Sequence, residues 1–210
     1  TTCREVRHLE PALPPSDGHQ MISENSMSGI SVVTWDSSFR ESLHWFDAMQ
    51  QQSDRIPAEF IWVDFYGLSE RIHNIAARDP RTRVHTLAQP TSQEWHLGHS
   101  VNAGVANSEH EWLLLTDGDI FVGPDFLDQI TNLTSHANEV TYFRRYDEYT
   151  ESPAHPGPKL QNIDELKARC VLGNPTNFGA CALMHRSLYE DVGGYEEHMA
   201  FAGAGIASME

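Results

Sequence analysis

Three short apolar runs and one weaker strand-like run, interspersed with segments of helical spacing, constrain this chain more than any other feature. Ile30-Ser31-Val32-Val33-Thr34-Trp35 and Phe60-Ile61-Trp62-Val63 are rich in β-branched and aromatic residues. Arg83–Leu87 and Trp112–Leu115 follow. Each has the length and composition of a strand. Between them, residues 39–52 place Phe39, Leu43, Phe46 and Met49 at helical intervals, and residues 92–108 do the same with Trp95, Leu97, Val101 and Val105. Strands alternating with helices predict an α/β fold, a mostly parallel central sheet flanked by helices. Such sheets bind ligands outside the carboxyl ends of their strands. Trp35-Asp36, Asp64 and Asp117-Gly118-Asp119 all fall at those ends.

The flanks differ. Residues 1–27 are polar, contain prolines and lack a period, which predicts a flexible tail before a single domain over 28–210. The last residues, Gly205 to Glu210, bring no closing element, so the expectation is a domain incomplete at its C-terminal end. Residues 150–176 hold four prolines and read as loop with a short helix near 163–169, and Phe178–Met184 reads as a buried strand.

Charge narrows the partners. The formal net charge is −16, from 30 acidic and 14 basic residues. That surface repels a phosphate backbone, so nucleic acid is not an expected partner. Any anionic ligand needs a local cation. Three cysteines form neither a disulfide framework nor a CxxC pattern, which suits reduced thiols in a cytoplasmic protein. No apolar run reaches the roughly 18 residues of a membrane span.

The aspartates offer a seat for such a cation. Two carboxylates one glycine apart at a strand end offer hard oxygens to Mn2+ or Mg2+, and Gly118 leaves room for a ligand to approach. A bound cation would bridge the acidic protein to a diphosphate. Asp-Gly is also a common turn dipeptide, and that alternative stands beside the metal site. The twelve histidines offer no HExxH pattern. His96 and His99 lie on a helix; His185 and His198 fall in the second half, where packed or surface roles are the commoner case.

Beyond the pair itself, Asn102-Ala103-Gly104 stands fifteen residues before Asp117. Ile120-Phe121-Val122, Pro124 and Phe126-Leu127 follow the pair, and then Gly179, Arg186 and Gly193-Gly194-Tyr195-Glu196-Glu197. In this order the motifs resemble the nucleotide-sugar-dependent glycosyltransferases of the GT-A fold, the family-2 group in particular, over roughly residues 29–206. The resemblance implies a single Rossmann-like GT-A domain. It also implies transfer of a sugar from a nucleoside diphosphate donor to an acceptor hydroxyl (on a glycan, a lipid-linked molecule or a small molecule), with inversion and a divalent cation. By the same resemblance Thr34, Trp35 and Asp36 form the first nucleotide-contacting loop and Asp64 contacts the base. Asp117, Gly118 and Asn102 belong to the nucleotide-sugar site, and Asp117 and Asp119 hold the metal.

Two departures stand out. The family's second strand usually continues Asp-Asp-Gly-Ser, whereas here Phe65-Tyr66-Gly67 follows Asp64. The Gly-x-Glu-Asp that carries the base in the family reads Gly205-Ile206-Ala207-Ser208, and neither Ala207 nor Ser208 can act as a carboxylate base. Glu197 and Glu210 are the carboxylate candidates, and the catalytic residue is unassigned. A GT-A-like domain that binds a nucleotide sugar or a partner without turnover is therefore the alternative. A nucleotidyltransferase fits less well, because residues 34–40 lack the glycine-rich loop of that class.

Overall fold

A computed structural model describes residues 27–36, 48–49, 52, 56–131, 133, 137–144, 146–148, 170–172, 181–199 and 202. The expected tail, most of the helix over 39–52, the segment 150–169, Gly179 and residues 203–210, including Ala207, Ser208 and Glu210, lie outside them.

The strands are β1 (Ile30–Asp36), β2 (Ala58–Asp64), β3 (Thr82–Thr86), β4 (Trp112–Thr116), β5 (Thr141–Tyr142), β6 (Tyr146–Glu148), β7 (Cys170–Leu172) and β8 (Cys181–His185). The helices are α1 (Glu70–Ala76), α2 (Leu97–Ala106), α3 (Phe126–Thr131) and α4 (Arg186–Asp191). Six strands form one sheet in the order β3-β2-β1-β4-β8-β5, and β6 and β7 pair apart from it. β3, β2, β1 and β4 run parallel; β8 is antiparallel to both β4 and β5. This is the expected α/β architecture with a mostly parallel sheet.

Both faces of the sheet are covered, which explains why Trp112–Leu115 reads as a continuous apolar run rather than an alternating one. Ile30, Val32, Phe60, Trp62 and Leu114 join one cluster with Ile72 of α1, Leu127 and Ile130 of α3, and Ala48 and Met49. Val33, Trp35, Ile61, Val63, Leu113 and Leu115 join the other with Leu97, Val101 and Val105 of α2 and Tyr189 of α4. Burying one such side chain fully contributes about 1.5–3 kcal/mol. No helix among the described residues is long and apolar enough to cross a membrane.

Two elements depart from the expectation. Helix α1 is not evident in the sequence, because only Ile72 and Ala76 of its seven residues are buried. Its existence follows from topology: β2 and β3 are parallel, and parallel strands need a crossover. Helix α2 begins at Leu97 rather than 92, since residues 91–93 form a turn after Pro90 and His96 takes the N-cap.

Two contacts fix α2 and β4. A Cβ built on Gly104 would lie 2.4 Å from Val33 Cγ1 and 3.0 Å from Val63 Cγ2, so only glycine lets the helix sit this close to β1 and β2. Arg186 then donates to the carbonyls of Val105 and His110 and to Ser108 Oγ, tying the end of α2 to the entry of β4. At the amino-terminal edge of the sheet, Glu59 accepts from the Ser31 hydroxyl and the Glu109 N–H, and pairs with Arg83. Burial opposes ionisation of Glu59, but these partners outweigh it and hold the carboxyl below its ordinary range.

Gly104→Ala is expected to destabilise the fold by about 1–3 kcal/mol through overpacking, read as a lower urea midpoint. Because the folded state depresses the Glu59 pKa, its contribution is complete above the ordinary value of 4.5 and fades as pH falls through the lower, folded value. Glu59→Gln should therefore lower the melting temperature at neutral pH, and its difference from the parent should shrink in acid below that range.

Candidate functional site

The order of the strands places the site. From β1 the chain moves to β2 on one side, then returns by α2 to β4 on the other. Order reverses between β1 and β4, which leaves a crevice at their carboxyl ends. Asp36 ends β1 and lies level with Asp64, which ends β2. β4 runs out at Thr116 directly into Asp117-Gly118-Asp119. The structure thus brings the candidate residues of the three strands to one edge.

Alternation along β1 then separates them. Successive strand side chains point to opposite faces, so Trp35 packs into the α2-side cluster, on the face opposite to Thr34 and Asp36. Trp35 is a core residue as well as a candidate loop residue. Thr34 is 0% exposed, and its Oγ1 has no hydrogen-bond partner among the described residues.

Gly118 sits against that hydroxyl. A Cβ there would come within 2.7 Å of Trp62 Cη2 and 3.3 Å of Thr34 Oγ1. Glycine is required by this close approach, which seats the turn on β1 and β2. Asp117 is half-buried and Asp119 exposed. The Tyr195 phenol is pushed up to about 12 by burial first, then by Tyr142 and by the Asp117 charge. Burial also pushes the Cys181 thiol up to about 12; the Thr116 hydrogen bond opposes the shift and Asp117 adds to it. Asp117 therefore lies where β4, β8 and the segment after α4 meet.

Two carboxylates in one turn suit a hard cation such as Mn2+ or Mg2+, which commonly takes one or two protein carboxylates and completes its shell with phosphate oxygens and water. The buried Thr34 hydroxyl, without a partner among the described residues, lies beside Gly118 under this turn. Among the described residues, no group of three or more His, Cys, Asp or Glu is placed to hold a metal. The fit is to a shared site that ligand oxygens complete.

Two candidates have extensive internal partners. Asp64 is 0% exposed; its oxygens accept from the N–H groups of Gly67 at 2.9 Å and Ser69 at 3.1 Å, and His73 Nε2 lies 3.7 Å away. Gly67 has a φ of 75°, so Asp64 organises a tight loop despite the unusual Phe65-Tyr66 that follows it. Asn102 joins α2 to the segment after α4. Its Oδ1 accepts from the Tyr189 hydroxyl and from Tyr195 N at 2.9 Å, and its Nδ2 donates to Tyr195 O at 2.9 Å and Glu197 Oε1 at 2.6 Å. His96 makes a second tie: its Nδ1 accepts from His99 N, and its Nε2 faces His198 O at 3.2 Å. The pattern puts the ring proton on Nε2. Glu197, a candidate base, is exposed and held by Asn102.

Gln52 was not singled out by sequence. Buried, it donates to Ala48 O and Gly123 O and accepts from Leu127 N, so it fastens the chain just after Asp119 to α3. Its polar side chain near the end of an amphipathic segment is the only sequence signal, and a weak one.

Asn102→Ala should cost about 1–3 kcal/mol by stranding partly buried polar partners. Hydrogen exchange is expected to quicken at the Tyr195 amide while β4 amides keep their protection.

Among solved structures, the chain is similar to mannosyltransferase PcManGT from Pyrobaculum calidifontis, in complex with GDP-Man and Mn2+. The TM-score is 0.55 at 16% identity, with 82% of this chain and 48% of that one covered. The chain thus spans about half the length of that protein, and the likeness bears on fold. A second superposition, on S. aureus TarS 1-349 in complex with UDP-GlcNAc, has a TM-score of 0.42 at 16% identity over 50% of this chain and 30% of that one, too partial to carry an argument. No curated protein sequence matches the chain. The model of glycosyl transferase family 2 matches residues 67–193, more than half of the 210 residues, from the loop held by Asp64 through Gly193. The chain belongs to glycosyl transferase family 2.

Proposed function

We propose that this chain moves a glycosyl group from a nucleoside diphosphate sugar to an acceptor hydroxyl, using a divalent cation at Asp117 and Asp119. One observation carries the reading: Trp62 and Thr34 seat the Asp117-Gly118-Asp119 turn at the crevice between β1 and β4. Family membership and a structural neighbour in complex with GDP-Man and Mn2+ support the donor class. The net charge of −16 supports the cation, since a diphosphate would otherwise meet a repelling surface.

Each residue then has a task. Thr34 supports the aspartate turn through Gly118, and Asp36 and Asp64 shape the loops around the base and ribose. Asp117 and Asp119 would hold Mn2+ or Mg2+, and the cation when bound would supply positive charge against the diphosphate leaving group. A carboxylate takes the acceptor's proton. Glu197, oriented by Asn102, is the described candidate, and Glu210 is the second. Attack from the side opposite the diphosphate inverts the anomeric carbon. The acceptor is a glycan, a lipid-linked molecule or a small molecule. Cysteine usage, three residues with neither a disulfide framework nor a CxxC pattern, is the support for a cytoplasmic setting.

A second reading, binding of a nucleotide sugar without turnover, is favoured by Ala207-Ser208 where the family carries its base. Calorimetry with GDP and UDP, each with Mn2+ or with EDTA, tests the shared part. Asp119→Ala should weaken the metal-dependent affinity by about a hundredfold, at least the loss typical of a disturbed metal shell, and leave the melting temperature without ligand in place. Equal affinity in the variant would remove the metal site. Binding without hydrolysis or transfer of any donor sugar would select the second reading.

A further inference from the structure

The sheet face that packs on α2 ends in aromatic side chains that the reading above leaves unused. Strand register locates them. Tyr142 lies level with Ala182, and Ala182 with Leu115. Residues level across a sheet share a face, and Leu115 and Ala182 both belong to the α2-side cluster. Tyr142 therefore stands on that face, and Asp117 follows Leu115 by two residues. Tyr195 packs against the same cluster, its ring tilted over Tyr189 at 6.2 Å, and Asp117 and Tyr142 both lie close enough to influence its phenol. β5 is the edge strand, and Tyr142 is 47% exposed beside the small Ala182.

A tyrosine presents a flat apolar face and a polar tip. A pyranose ring is its complement, with C–H groups on one face and hydroxyls around the rim. From this placement we infer that Tyr142 and Tyr195 form a stacking subsite for a pyranose beside Asp117. The inference rests on the glycosyl-transfer reading and adds a specificity determinant to it. The pyranose belongs either to the donor's glycosyl group or to a sugar acceptor; the stacking chemistry is the same.

Two measurements on the full chain test it. Saturation-transfer NMR with free mannose and free N-acetylglucosamine needs no nucleotide. Transfer to the ring C–H protons is expected in the parent and in Tyr142→Phe, and its loss in Tyr142→Ala, where affinity falls about fivefold to tenfold. Calorimetry then compares UDP with UDP-GlcNAc and GDP with GDP-mannose, all with Mn2+. Weaker binding of the sugar nucleotides alone by Tyr142→Ala assigns the subsite to the donor sugar. Unchanged nucleotide affinities with lost free-sugar binding assign it to the acceptor. Free sugars and sugar nucleotides that both bind Tyr142→Ala as they bind the parent overturn the subsite, as does a parent that shows no sugar contact in either measurement. A parent that binds free sugars but no nucleoside diphosphate sinks the nucleotide reading alone and keeps the subsite.

Discussion

Parallel pairing on both edges of β1 is the constraint on which the rest depends. A strand with parallel neighbours on each side must be reached by crossovers, and here they diverge, to β2 one way and to β4 the other. No single helix can cover the carboxyl ends of both. The crevice is a result of connectivity, and the acids at the strand ends acquire a common location because of it. Gly104 and Gly118 serve this arrangement from two directions, one letting α2 lie flat on β1 and β2, the other letting the turn after β4 press onto Trp62.

The two edges of the sheet handle negative charge differently. At the amino-terminal edge, Glu59 is met by an arginine, a hydroxyl and a peptide N–H. At the carboxyl edge, Asp64 is met by two peptide N–H groups that also shape a loop. Asp117 and Asp119 share the same edge in a chain already strongly acidic.

Much of this was legible in the sequence, and the parts that were not share a cause. Strands β1, β2 and β4 were readable because buried strands leave nearly continuous apolar runs, and the acids at their ends came with them; β3, only partly buried at the sheet edge, left a weaker signal. Helix α1 was not, since two buried residues in seven make too faint a stripe; only the pairing of β2 with β3 demands it. Asn102 shows a different limit. Its motif marks it as important, but spacing cannot tell a ligand contact from a clamp whose partners lie 87 to 95 residues away. The same holds for Gln52 and for Arg186, whose four hydrogen bonds secure α2 and β4. Long-range polar contacts leave no local period, so sequence can flag such residues without assigning them a task.

Cys181 carries a final consequence. It begins β8 directly across from Thr116, one residue from the aspartate turn. Burial keeps it protonated, with its thiol pushed up to about 12. The thiolate is the form that oxidants and electrophiles attack. A sulfur atom beside the crevice is thus a poor nucleophile: alkylating reagents aimed at Cys181 would meet little of the thiolate they need.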